Sequence, residues 1–295
     1  MLTNALRCSG EPLKDSALPG YSFAQIDGVA TAYRRAGSGD PVLLLHGVGS
    51  YSYIWRKIVP LLADRFDVIA PDLAGCGYSD AQQDQALDLR AQYERIERLM
   101  QHLGVERAHV VGHDFGGAIA QLVAIDHSER VRTLMLVNSI GYDYWPVRAI
   151  KTARFPIVRQ LTLALLDRTV FATMLRRAVH STERITAEIV NQYKAPYRSV
   201  SRRRALMRFL RALDHRYLVS RVAGLRALTV PTCVVRSKHD AYLNRAISLR
   251  LAQDIPNATL VEVDMAGHFI QEDQPERIVQ LFLDLVGGND EPQRS

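Results

Sequence analysis

The chain reads as an α/β protein: one mostly parallel β-sheet flanked by helices, with a helical insertion late in the order. Three observations lead there. Short β-branched runs alternate with longer amphipathic stretches, the rhythm of strand–helix–strand crossovers. Glycine-punctuated loops follow several of the strand-like runs, where open α/β sheets build their sites. From about Tyr142 to Leu225 the strand signal stops and only helical patterns continue. The 295 residues, 47% of them hydrophobic, suit one large domain or a domain with an insertion and can bury a sizeable core.

The elements follow in order. "YSFAQI" and "ATAYRRAG" read as an antiparallel pair around Asp27-Gly28. "PVLLLHG" is a wholly apolar strand ending in a glycine turn, "IWRKIVPLLADRF" a helix and "DVIAPDL" a strand. "ALDLRAQYERIERLMQHLG" carries Leu89, Tyr93, Ile96, Met100 and Leu103 at helical spacing and stops at Gly104, a natural C-cap. "AHVVGHD" is a strand, "FGGAIAQLVAIDH" the next helix and "VRTLMLVNS" another buried strand. Inside the insertion, "VRQLTLALLDRTVFATMLRRAV" and "SRRRALMRFLRALDHRYL" read as helices. Alternation resumes with "TVPTCVVRS", "NRAISLRLAQDI", "ATLVEVD" and "PERIVQLFLDLVG", and the polar tail "GNDEPQRS" reads as disordered.

Composition narrows the function classes. No stretch is long and apolar enough to span a membrane, and the first twenty residues lack the apolar run of a secretory signal. Cys8, Cys76 and Cys233 have no C-x-x-C spacing, so free thiols in a reducing cytoplasm are expected, not disulfides or a metal site. The formal charge is +6, yet residues 146–225 hold 17 Lys/Arg against 4 Asp/Glu. Two explanations stand for this block: solvated helix faces, or attraction of an acidic partner or substrate. No nucleic-acid motif accompanies it.

Chemistry concentrates in four loops: "HGVGS" (His46 to Ser50), "GHDFGG" (Gly112 to Gly117), "SKHDAYL" (Ser237 to Leu243) and "AGHF" (Ala266 to Phe269). In "GHDFGG" the glycines let strand and helix pass closely, so Asp114 can project from a sharp turn at a helix N-terminus. An ionised aspartate there is a nucleophile toward an sp³ carbon bearing a leaving group, giving an alkyl ester on the enzyme. Water must then attack the ester carbonyl. His268 is the candidate base and Asp240 its orienting carboxylate. The oxyanion formed needs donors, for which the N–H groups of Phe115 and Val48 are placed. Bland roles are expected for His46 (supporting its loop) and His113 (packing), and Asp143 is a weaker alternative to Asp240.

These motifs, with "APDLAGCGYSD" (Ala70 to Asp80), resemble the α/β-hydrolase superfamily in its aspartate-nucleophile branch, the epoxide hydrolases and the haloalkane and fluoroacetate dehalogenases. The resemblance covers nearly the whole chain. It implies a core of residues 1–141 and 226–295 with a helical cap at 142–225. It also implies Asp114 as nucleophile, His268 as base and Asp240 as orienter, Asp72 as a structural acid bracing its loop, and no metal or organic cofactor. Some relatives carry the orienting acid after the sixth strand, where Asn138 stands here and carries no charge. The branch members separate on departures. Haloalkane dehalogenases resemble one another in placing Trp after the nucleophile and often Asn after "HG", and fluoroacetate dehalogenases typically have Arg after the nucleophile. Here Phe115 and Val48 offer no side-chain donor. Epoxide hydrolases use cap tyrosines, and the insertion holds Tyr142, Tyr144, Tyr193, Tyr197 and Tyr217, although a common Tyr-Arg pair reads Leu210-Arg211.

The expectation is therefore epoxide hydrolysis through an ester on Asp114, with Tyr142, Tyr144 and Trp145 of "GYDYWP" contacting the substrate. A haloalkane dehalogenase is the second reading and a non-catalytic ligand receptor on the same fold the third. A small, largely apolar substrate is expected, in a monomer or homodimer without a nucleic-acid or membrane partner.

Overall fold

The computed structural model describes residues 18–143 and 171–288. The first half of the long helical pattern at 158–179, Tyr144, Trp145 and nearly all of the polar tail lie outside them.

A two-residue hairpin opens the sheet. Strand β1 (Ser22–Ile26) pairs antiparallel with β2 (Val29–Ala36), and Asp27 and Gly28 take φ of 52° and 74°. Both values lie in the left-handed region that the tight hairpin turn requires. The parallel strands are β3 (Asp40–Leu45), β4 (Phe66–Pro71), β5 (Ala108–His113), β6 (Val131–Val137), β7 (Thr232–Ser237) and β8 (Thr259–Val263). Their order across the sheet is β1-β2-β4-β3-β5-β6-β7-β8, with β2 antiparallel to β4. Strands β4 and β5 are buried along their whole length, as expected where helices cover both faces.

Most helices lie where they were expected, with two corrections. The stretch 201–218 is not one helix, because Leu213 takes an extended backbone (ψ 117°) that separates Val200–Ala212 from Arg216–Val219. The apolar stretch 54–66 is not one helix. It forms a 3₁₀ turn at Ser52–Trp55 and then a four-residue helix α1 (Val59–Leu62). Pro60 sits in the first turn of α1, where its missing N–H costs nothing, and it therefore starts a helix instead of continuing one. Helix α2 (Leu89–His102) is capped by Asp88, whose side chain accepts from the Ala91 N–H at 3.0 Å, and it ends before Gly104 at φ 68°. Helix α3 (Phe115–Asp126) is buried from Phe115 to Ala124, which explains its apolar character all round.

The insertion contributes α4 (Phe171–Ala178), α5 (Ala187–Lys194), α6 (Val200–Ala212) and α7 (Arg216–Val219). Part of its basic block is neither a solvated face nor a free electrostatic lure. Arg202 donates to Gly77 O at 3.0 Å, and Arg208 donates to Gln82 O at 2.6 Å and Gln85 O at 2.7 Å. These guanidiniums fasten α6 to carbonyls of the loop after β4. The remaining helices are α8 (Arg245–Asp254), α9 (Ile270–Asp273) and α10 (Pro275–Gly287). No described helix is long and apolar enough to cross a membrane. Cys76 and Cys233 are buried free thiols.

Candidate active site

Asp114 stands between β5 and α3 with φ 51° and ψ −114°, a conformation an L-residue adopts only when its surroundings enforce it. They do. The Asp114 carbonyl accepts from Gly117 N–H at 3.0 Å and Ile140 N–H at 3.2 Å. A side chain at Gly47 would come within 2.7 Å of Asp114 Oδ1, so the facing loop must carry glycine to pass.

The carboxylate is nearly fully buried, and its two oxygens face different groups. Oδ1 accepts the Val48 N–H at 2.8 Å. Oδ2 lies 3.7 Å from His268 Nε2. The Phe115 N–H also donates to this carboxylate. Burial raises the Asp114 pKa, against the lowering influence of His268 and the two N–H donors.

His268 follows β8 on the turn before α9. Its Nδ1 donates to Asp240 Oδ2 at 2.9 Å, which fixes the proton on that nitrogen and leaves Nε2 toward Asp114. Asp240 is held in turn by the N–H groups of Tyr242 (2.8 Å) and Leu243 (3.0 Å) on Oδ1. Burial pulls the His268 pKa down, but Asp240, with Asp114 beside it, outweighs burial and the net shift is upward. Burial works to raise Asp240, and the imidazole overcomes it, leaving this pKa lowered. A buried Asp–His–Asp array of this kind can present a carboxylate oxygen to a substrate carbon, a base to a water beside it, and two N–H donors to the carboxylate itself.

With this geometry in hand, the chain was compared with known proteins. Residues 40–275 match the family model described as the alpha/beta hydrolase fold. The chain belongs to the α/β-hydrolase family. A haloalkane dehalogenase 2 of Mycobacterium tuberculosis is 31% identical over 263 residues, covering 86% of this chain and 91% of that protein. A soluble epoxide hydrolase of a Corynebacterium species is 40% identical over only 117 residues, 40% of this chain and 41% of that protein. The crystal structure of a haloalkane dehalogenase from Bradyrhizobium elkani superposes with a TM-score of 0.80 at 27% identity, covering 91% of this chain and 97% of that one.

In this α/β-hydrolase the residues expected to contact substrate fare unequally. Tyr142 does not face Asp114. Its φ of 58° turns the chain, its hydroxyl donates to Asp254 Oδ2 at 2.9 Å, and Arg250 covers its ring at 3.9 Å. The residue belongs to the packing against α8. Tyr144 and Trp145 lie outside the described residues. Tyr193 gives its hydroxyl to Glu272 (2.8 Å), Tyr197 accepts the Gly77 N–H (2.9 Å), and Tyr217 stacks under Arg221. The Phe115 ring packs edge-on against Phe209 of α6 at 5.2 Å, and Met174 of α4 packs against the "HGVGS" loop at Gly49. Phe209 and Met174 thus place apolar groups of the insertion against the two loops that flank Asp114.

The residues given structural roles hold loops. Asp72 accepts the N–H groups of Ser52 and Tyr78, both at 2.8 Å, and burial pushes its pKa up to about 6. His46 is kept neutral by burial, its pKa pulled down to about 4, and its Nε2 accepts the Leu73 N–H at 2.9 Å. His113 is more than packing: its Nε2 donates to the His268 carbonyl at 2.9 Å.

Two supports were not foreseen. Asn138 Nδ2 reaches the same His268 carbonyl at 2.9 Å and Ser237 Oγ at 2.9 Å, while its Oδ1 accepts the Ser237 N–H. It thus ties the ends of β6 and β7 to the histidine loop. Asp273 accepts from Gly267 N–H (2.9 Å), His180 N–H (2.8 Å) and Ser181 N–H (3.1 Å), joining that loop to the end of α4. The signal in sequence was the pair of acids in "QEDQP", two residues that burial forbids without partners.

Proposed function

We propose that this protein hydrolyses an electrophilic sp³ carbon through an alkyl ester on Asp114, and that the substrate is an epoxide. Oδ2 attacks the ring carbon, the C–O bond breaks, and the ring oxygen takes a proton from a donor in the cap. His268 Nε2 then removes a proton from water, and the hydroxide adds to Cγ of the ester. The charge that forms on Oδ1 meets the N–H groups of Val48 and Phe115. Collapse breaks the Cγ–O bond to the alkyl group, His268 returns its proton to the leaving alkoxide, the Asp114 carboxyl gives its proton back to the cap donor, and a diol departs. Residues 142–225 form the cap over this site and the rest of the chain the core.

One observation carries this reading: Oδ1 already lies on an oxyanion donor while Oδ2 faces the base. Alkylation has a further consequence. It removes the negative charge of Asp114, one of the two charges that raise the His268 pKa, so the imidazole gives up its proton more readily when water must be activated. The epoxide is favoured over a halide because a departing halide has no proton to take and needs side-chain donors. Val48 and Phe115 supply none at the positions where dehalogenases carry them. With Tyr142 and Tyr193 committed elsewhere, Tyr144 and Trp145 are the donors to test.

Dehalogenation is the second reading, favoured by the mycobacterial dehalogenase that matches along nearly all of its length. His268→Gln, which leaves the first step intact, decides whether the chemistry is covalent. Mass spectrometry of this variant after exposure to epoxides and haloalkanes is expected to find Asp114 heavier by the epoxide. An adduct formed only by haloalkanes favours the dehalogenase, and no adduct from either class leaves a ligand-binding protein.

A further inference from the structure

At the end of the sheet opposite Asp114 lies a cleft of about 510 Å³. Its walls come from the first residues of the parallel strands: Asp40 opens β3, Phe66 opens β4, Arg132 is the second residue of β6, and Pro231 immediately precedes β7. Arg65, Arg107 and His109 also line it. We propose that this cleft binds a soluble organic anion, a phosphate or carboxylate group carried on an apolar body.

Charge comes first. Three guanidiniums share the cleft with one carboxylate, and Asp40 is already paired with Arg132 at 3.1 Å. Among the described residues, Arg65 and Arg107 have no carboxylate partner, so two full positive charges face the space. Arg132 adds a donor: its Nε is buried and, among the described residues, meets no acceptor, a state that native proteins avoid unless something else fills it. Guanidinium forks match the paired oxygens of phosphate and carboxylate, and each charge-assisted bond is stronger than a neutral one.

Shape comes second. Phe66 and Pro231 give the cleft an apolar wall, and the Arg65 guanidinium lies 5.7 Å over the Phe66 ring, which orders it without neutralising it. The volume falls within the range of roughly 300–1,000 Å³ that small-molecule sites occupy, larger than a bare inorganic ion needs. The site is independent of the hydrolytic reading and stands or falls apart from it.

Titration of the full chain with phenyl phosphate, followed by amide chemical shifts at constant ionic strength, tests the proposal. Saturable shifts are expected at residues of the cleft, with tighter binding than inorganic phosphate gives. The double variant Arg65→Ala/Arg107→Ala, both exposed positions, is expected to weaken binding about tenfold or more, since it removes two charge-assisted contacts. Arg226→Ala, an exposed arginine paired with Asp254, serves as the control and should leave the affinity unchanged. Linear, unsaturating shifts, equal affinity for the two phosphates, or indifference to the double variant would overturn the proposal. So would capture by phosphatidylglycerol vesicles with no response to phenyl phosphate, which would assign the charge to a lipid surface.

Discussion

Asp114 and His268 set each other's charge, and that coupling has a sign that can be measured. The His268 pKa is raised in the folded protein, so its ion pairing stabilises the fold fully below the ordinary histidine value and is lost as pH climbs through the raised one. Catalysis runs the other way, because the base must be neutral. In the free enzyme Asp114 and Asp240 both hold the proton on the imidazole; in the ester only Asp240 does. With ester hydrolysis limiting, the acid limb of kcat is therefore expected at lower pH than the His268 midpoint seen by NMR titration of the free enzyme. The reverse order would contradict a neutralised Asp114. Val48 offers a second residue-scale test. Its N–H serves the oxyanion and its side chain is half-buried, so Val48→Asn keeps the backbone donor and adds an amide. Halide release from a bromoalkane should rise relative to diol formation from the matching epoxide, and an unchanged ratio would deny that a missing donor sets the preference.

At the scale of elements, the four-residue helix α9 fastens the insertion to the histidine loop. Glu272 is fully buried between Arg56, Lys57 and Tyr193, with Arg56 bonding both carboxylate oxygens and the Tyr193 hydroxyl at 2.8 Å. Glu272→Ala leaves two cations around an empty site, a change worth about 3–5 kcal/mol in buried ion pairs, whereas Tyr193→Phe removes one bond of about 1–3 kcal/mol. Denaturant unfolding is expected to rank them in that order. Asn138→Ala should cost a similar 1–3 kcal/mol or so and slow turnover, since it removes one of the two side-chain donors to the His268 carbonyl. An unchanged kcat in a folded Asn138→Ala protein would show that His113 alone suffices to hold the loop.

For the whole molecule, the sheet was legible because its central strands are short apolar runs, and helices such as α2 and α10 show a 3.6-residue pattern, signals that need no distant partner. The candidate triad could be picked out because each member follows a strand, with Asp114 and His268 in glycine-marked loops. What failed to show were features set by distance. Glu272 meets Arg56 across more than two hundred residues, and nothing local in "QEDQP" names that partner. Tyr142 was placed above the sheet edge by position alone, and a positive φ sends it to α8 instead. The arginines of α6 were counted as charge, when several serve as donors to carbonyls. The broken helix at Pro60 was within reach, since a proline in an apolar run marks a start as readily as a continuation.

In the proposed mechanism these features act through one bond, the ester between Asp114 and substrate. A single turnover in ¹⁸O-water reads it directly, with enzyme in excess over an epoxide that the protein consumes. Digestion and mass spectrometry of the Asp114 peptide are expected to show one ¹⁸O retained in the carboxylate, because water attacks Cγ and leaves its oxygen there. Label found only in the diol, with none in Asp114, would mean that water attacks the substrate itself and would contradict the nucleophilic role of the aspartate.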